Sequence, residues 1–387
     1  ASIIVVSHTV LGYYSLMISV VALLIAFSIP LLFLAIVYKL DLYKTGNYRN
    51  IAISLAGGIA AYWLAYLVNP WMRDQGLVTR DIMVRFSAPV LEEIFKGLIL
   101  LYLIRRPSFT YFVDGAIYGF AAGIGFAIFE NFEYISGSPE TALSLAIARV
   151  LSTNLVHATG SGLIGIALGM ARFDRSHRRA AVLVIGAGLA MILHMGFNNI
   201  VNSHSDLILV YAIVVGFGGA IVIGTAMRYG LKEEKTWIME KLGEADRVTV
   251  QEKSAVEGLD KLNKMLAPLA ERFGPEKANQ VKDFLTIQAR LGILRKTVEK
   301  LNDEKMRRAV EVQIEDLSAQ MNQVRREVGS YCMLYLRNTF LEETGTLYKR
   351  LETIMQERAS AGGEQGGGKA WMQAFGSKLE APTPGKE

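Results

Sequence analysis

The stretch Ala88–Leu103, APVLEEIFKGLILLYL, reads as a helix that crosses a membrane, except that it carries Glu92, Glu93 and Lys96. Bare carboxylates facing lipid are costly, whereas carboxylates facing a protein-lined, water-accessible cavity are retained and used. The stretch therefore predicts one wall of a polar site inside a membrane protein, and its neighbours in sequence should supply the other walls.

Composition supports the membrane setting. The chain has 387 residues, of which 51% are hydrophobic, and its mean hydropathy is +0.29. The apolar residues crowd into residues 1–230, whereas Lys, Glu, Arg and Gln at helical spacing dominate beyond Arg228. Three parts are expected: a transmembrane part over 1–230, a helical part over 231–358 and a Gly-rich disordered tail over 359–387. The single Cys332 excludes an intrachain disulfide framework and fits a reducing compartment. The net charge of +5 comes from nearly balanced acids and bases. No aromatic-interleaved basic patch accompanies it, so nucleic acid is not an expected partner and a lipid bilayer is.

Seven spans are predicted, at about 11–40, 50–69, 87–104, 110–135, 147–171, 180–201 and 207–227, each near the roughly 20 residues that cross a bilayer. The first has no basic n-region or small-residue cleavage pattern, and is expected to be a span and not a removable signal peptide. Lys39, Lys44 and Arg49, then Arg105 and Arg106, then Arg172, Arg175, Arg178 and Arg179 fall on one side. The loops 136–146 and 202–206 have neither Lys nor Arg. The positive-inside rule predicts an outside N-terminus and a cytoplasmic C-terminus, with 70–86 as the one exception. The fold class is all-α: a polytopic membrane protein followed by a cytoplasmic helical bundle or coiled coil over 232–246, 252–273, 276–302 and 304–357, able to form a homo-oligomer. Gly274-Pro275 marks a stop and a start within it.

Four predicted spans carry polar residues unsuited to lipid. The third has Glu92, Glu93 and Lys96; the fourth has Glu130, Asn131 and Glu133; the fifth has Arg149, Asn154, His157 and Ser161; the sixth has His194 and Asn198 at a spacing of four, on one helix face. By rise per residue Glu92, Glu130, His157 and His194 all lie roughly 8 to 15 Å below the outer surface. Small residues at four-residue steps, Gly115-Gly119-Gly123-Ala127, His157-Ser161-Gly165-Gly169 and Gly186-Ala190-His194-Asn198, mark the faces on which these helices approach one another. Alone, a buried His or Asn is commonly an interhelical hydrogen-bond partner, and Arg149 a counter-ion for a buried glutamate. Three carboxylates and two imidazoles at one level call for chemistry.

Adjacent glutamates in a low dielectric do not both ionise easily, so the pair can hold and release a proton. That suits a general base for water; a histidine passes protons near neutral pH, and Asn198 is a candidate donor to a developing oxyanion. No Ser or Cys nucleophile signature is present. A metal-dependent version is equally consistent, with Glu130, His157 and His194 holding a divalent ion such as zinc and a glutamate of the third span as base. No HExxH motif decides between the two. A proton-coupled transporter or ion-conducting protein would use the same residue types as a relay.

Glu92-Glu93-x-x-Lys96, Phe126-x-x-x-Glu130-Asn131, Arg149 followed by His157, and His194-x-x-x-Asn198, in this order over about residues 85–200, resemble the PrsW family of intramembrane proteases of the bacterial plasma membrane. More distantly they are similar to the CAAX prenyl endopeptidase group. The resemblance implies cleavage of membrane-anchored substrates such as anti-sigma factors near the outer face. It assigns water activation to Glu92 and Glu93, stabilisation of the tetrahedral intermediate to His194 and Asn198, and the site lining to His157 and Glu130, with Lys96, Arg149 and Asn131 in support. Glu130 stands where the CAAX group has a histidine, and Lys96 near where it has an arginine.

Overall fold

The computed structural model describes residues 2–339 except 175, 177, 204–207, 244–247, 260 and 261. The expected tail at 359–387, the stretch 340–357 of the last helical segment, and Arg175 lie outside the described residues. Side chains are described from Leu16 onward, except at 208, 209, 262–265, 338 and 339. The protein is a polytopic all-α membrane protein, with no strand among the described residues. Its helices are α1 (Ser2–Lys39), α2 (Tyr48–Asp74), the single turn α3 (Arg80–Ile82), α4 (Ala88–Leu103), α5 (Phe112–Gly137), α6 (Ala142–Leu151), α7 (Thr153–Ala171), α8 (Arg178–Val201), α9 (Ile208–Lys241), α10 (Val250–Glu257), α11 (Leu262–Phe273), α12 (Pro275–Lys300), α13 (Glu304–Val328) and α14 (Ser330–Thr339).

Six stretches are long and apolar enough to cross a membrane: 16–39, 48–74, 112–137, 139–171, 178–201 and 210–241. The expected third span, which is not among these six, is α4, whose 16 residues extend only about 24 Å. A π-helical turn, Met83–Ser87, leads into it. The expected fifth span is interrupted at Ser152, where φ of −131° and ψ of −78° separate α6 from α7. In the opposite sense, no break follows the last span. The 34 residues of α9 run about 51 Å, well beyond the ~30 Å of hydrocarbon.

Helix α5 is the centre of the membrane part, buried along nearly its whole length. Its glycines explain how neighbours come so close. A Cβ on Gly115, Gly119 or Gly123 would lie 2.1, 2.2 or 2.4 Å from the carbonyl oxygens of Gly165, Ser161 and His157 in antiparallel α7. On the other side a Cβ on Gly125 would lie 2.1 Å from the Leu55 carbonyl of α2. The small-residue ridges read from the sequence are thus the surfaces along which the backbones touch.

Beyond the bundle, the end of α9 and helices α10 to α14 surround a second core that includes Trp237, Ile238, Phe284, Leu285, Leu291, Ile293, Val310 and Met321. Tyr43, Tyr111 and Phe112 belong to the same core, with the Tyr111 and Trp237 rings 4.4 Å apart, so it is continuous with one end of the bundle. Gly274, with φ of +89°, stops α11 and caps α12, which Pro275 opens. Gly329, with φ of +85°, splits α13 from α14, where the periodicity predicts one continuous helix.

Candidate active site

The polar residues of α4, α5, α7 and α8 meet inside the bundle. Three residues apart on α4, Glu93 and Lys96 share a face and are both fully buried. Lys96 Nζ donates to Glu93 Oε1 at 2.6 Å, lies 3.1 Å from His157 Nδ1, and sits 4.7 Å above the Phe126 ring centroid. Glu93 Oε1 also lies 3.0 Å from His194 Nδ1, while its Oε2 has no partner. Glu93 fits against α7 because residue 160 is glycine: a Cβ there would come within 3.2 Å of both carboxylate oxygens.

A second network adjoins the first through His157. Its Nε2 lies 2.9 Å from Glu130 Oε2, and Arg149 Nη2 donates to the same oxygen at 2.6 Å. Arg149 Nε donates to Asn131 Oδ1 at 2.7 Å, and Asn131 Nδ2 to Asn154 Oδ1 at 2.9 Å. The guanidinium stacks on Tyr134 at 4.0 Å. Arg149 reaches this position because α6 ends just after it, at Ser152.

Hydrogen-bond chemistry assigns the tautomers. A lysine ammonium only donates, so His157 Nδ1 accepts from Lys96 and Nε2 carries the proton toward Glu130. If His194 Nδ1 donates to Glu93, its Nε2 faces Glu92 with a free lone pair; the separation from Glu92 Oε2 is 3.7 Å. The His157 and His194 rings stand edge to face, centroids 4.6 Å apart. Lys96 and Arg149 neutralise Glu93 and Glu130. Glu92, 8% exposed, is the carboxylate of the cluster that no lysine or arginine contacts; its near partner is His194 Nε2, at 3.7 Å.

The sequence expectation and the structure differ at three positions. Asn198 is not in the cluster: its Nδ2 donates to Val84 O at 2.9 Å, tying α8 to the π-turn before α4. Glu133 accepts from the Tyr62 hydroxyl at 2.8 Å, away from the imidazoles. Among the described residues the group able to hold a metal is Glu92, His157 and His194, whose ligand atoms lie within 4.8 Å of one another, with Glu92 where the expectation has Glu130. Arg149 already holds Glu130, whereas no lysine or arginine contacts Glu92, and spacing along the chain does not show which glutamate an arginine reaches. Gly160, Tyr134 and the ring of Phe126 were not singled out as site residues. Only Phe126 stood in a quoted motif; a glycine among many on α7 gives no signal of its own.

The fold and this cluster define a helical membrane protein with a buried carboxylate and imidazole centre, of the kind that hydrolyses bonds within a bilayer. Residues 49–224 match the PrsW family intramembrane metalloprotease, and that match supports a membrane peptidase. The match contains every residue of the cluster. Protease PrsW of Bacillus subtilis (strain 168) is 26% identical over 173 residues, 44% of this chain and 78% of the relative. Protease PrsW of Halalkalibacterium halodurans is 35% identical over 105 residues, 27% of this chain and 46% of the relative. For Protease PrsW of Clostridioides difficile (strain 630) the figures are 30% over 135 residues, 33% and 57%. The chain thus spans about half the length of the latter two. No solved structure matches it.

The family description implies a metal, and the residues fit one. Two imidazoles and one carboxylate form a donor set used by catalytic zinc, all three side chains are buried, and their ligand atoms already converge.

Proposed function

We propose that the chain is an intramembrane endopeptidase that hydrolyses a peptide bond in membrane-anchored, anti-sigma-factor-like proteins near the outer face of a bacterial plasma membrane. Its N-terminus lies outside and its second core is cytoplasmic. The observation that carries this reading is the convergence of Glu92, Glu93, His157 and His194, from three helices, at one buried point.

Each residue has a role that follows from its partners. In a reaction without a metal, Glu92, which no lysine or arginine contacts, takes the proton of the attacking water and returns it to the leaving amine. Glu93 fixes the His194 tautomer, and Lys96 fixes Glu93. Glu130, neutralised by Arg149, orients His157. Asn198 positions α8 against the entry to α4, in place of the oxyanion role the resemblance assigns to it. In a metal-dependent reaction Glu92, His157 and His194 would hold a divalent ion that supplies Lewis acidity toward water and the scissile carbonyl, and Glu92 would then be a ligand and not the base. Glu130 Oε2, 2.9 Å from His157 Nε2, is placed to hold or take the proton of that nitrogen.

The test is mass-spectrometric mapping of new N-termini in membranes expressing the wild type or Glu92→Gln. Termini just outside the spans of other membrane proteins, present only with wild type, are expected. Matching profiles from the two chains, at equal levels of folded protein, would overturn the proposal.

A further inference from the structure

A cavity of about 310 Å³ lies where three membrane helices end against the second core. Arg105, two residues beyond α4, Arg172, one beyond α7, and Arg179, at the start of α8, all line it. Because they mark the ends of apolar helices, these guanidinium groups lie at one level, that of the lipid headgroups. Leu101, Leu168 and Leu183 line the bundle side, and Leu101 is 45% exposed on the surface of α4 that faces lipid. The opposite wall is the corner between α12 and α13, with Leu301, Asp303 and Met306.

The positive charge here is not balanced from within. None of the three arginines forms an ion pair among the described residues. Buried Arg172 Nε has no hydrogen-bond partner. Its remaining nitrogens donate to Thr110 O and Arg106 O at 3.4 Å each and, through Nη2, to the Met306 sulfur at 3.0 Å, and its guanidinium lies 5.6 and 5.5 Å from the Phe109 and Phe173 rings; none of these partners carries a negative charge. Asp114 acts on it only at a distance. The single carboxylate of the cavity, Asp303, is engaged as the N-cap of α13, accepting from Met306 N at 2.7 Å. Three planar donors around a cleft, one with an unused N–H, are the arrangement that takes a phosphate. The volume lies at the lower end of the ~300–1,000 Å³ typical of ligand clefts.

We propose that this cavity binds the phosphate of an anionic membrane phospholipid. Arg105, Arg172 and Arg179 surround the phosphate, and Leu101, Leu168 and Leu183 meet the glycerol and first methylenes. The lipid lies between the bundle and the corner of α12 and α13, so it supports the packing of one on the other.

The test uses the full chain in neutral detergent, with phosphatidylglycerol, phosphatidylcholine and inorganic phosphate as separate probes. Retained lipid is read by native mass spectrometry, and unfolding by the thermal midpoint. Wild type should retain phosphatidylglycerol over phosphatidylcholine, and only the former should raise the midpoint. Arg105→Gln/Arg179→Gln, which leaves Arg172 in place, should lower that preference about thirtyfold, each basic group near an anionic lipid contributing about fivefold. Arg105→Lys/Arg179→Lys should keep most of it, which separates lost charge from lost fold. Equal retention of the two lipids by wild type, or undiminished preference in the glutamine variant, would refute the site. A midpoint raised as much by phosphate as by phosphatidylglycerol would replace the lipid with a free anion.

Discussion

Glu93 and Lys96 are both without solvent exposure, and removing either leaves the other charged and unpaired in a low dielectric. Breaking a buried pair costs about 3–5 kcal/mol, while replacing both partners with neutral groups of similar size is often tolerated. Glu93→Gln and Lys96→Met should therefore each lower the thermal midpoint, and the double variant should recover much of it. Activity should not recover, because His194 has lost the carboxylate that orients it. Glu92 has no such partner, so Glu92→Gln should lower cleavage by about 10²- to 10⁴-fold with the midpoint nearly unchanged. A Glu92→Gln protein that unfolds as readily as Glu93→Gln would show that Glu92 is structural.

At the scale of elements, the packing of α5 against α7 delivers Glu130 to His157. Gly119 sits midway along that contact, where a Cβ would meet the Ser161 carbonyl at 2.2 Å. Backbone cannot move aside as a flexible side chain can, so Gly119→Ala should force the helices apart and lower both stability and cleavage. Gly188→Ala, on α8 with nothing within 4 Å of a Cβ, should change neither. The comparison, read by thermal midpoint and cleavage assay, isolates close approach from helix propensity, which favours alanine at both positions. Elsewhere, Glu234 of α9 is fully buried, with neither carboxylate oxygen bonded and with Asp41 and Asp114 as its acidic neighbours. Glu234→Leu removes an uncompensated polar group and should raise the midpoint by a few degrees.

For the whole molecule, the second core has its own reporter. Cys332 is 3% exposed within it, and burial pushes its thiol up to about 11. Few thiolates exist near neutral pH, and access is closed, so maleimide labelling at pH 7.5 should be slow in the folded chain and fast in denaturant. Phe284, fully buried in the same core, is the large side chain to remove: Phe→Ala at such a site costs about 3–5 kcal/mol. Phe284→Ala should speed Cys332 labelling. Labelling unchanged by the substitution would mean that Cys332 and Phe284 do not share a cooperative unit.

Class and site level were legible from local signals. A run of about twenty apolar residues spans a bilayer wherever it occurs, intramembrane charge must be sheltered, and small residues at four-residue steps mark a contact face; these set the membrane class, the polar layer and the ridges. Helix breaks were less legible. The interruption at Ser152 and the unbroken course of α9 depend on packing that overrides propensity at single residues. Least legible was pairing inside the cluster. That Arg149 takes Glu130, Lys96 takes Glu93, and Glu92 is left to face both imidazoles follows from distances between five helices. So does the loss of Asn198 to Val84. Side chains equivalent in composition and depth acquire different roles only when tertiary packing brings each within hydrogen-bonding reach of one partner and not another.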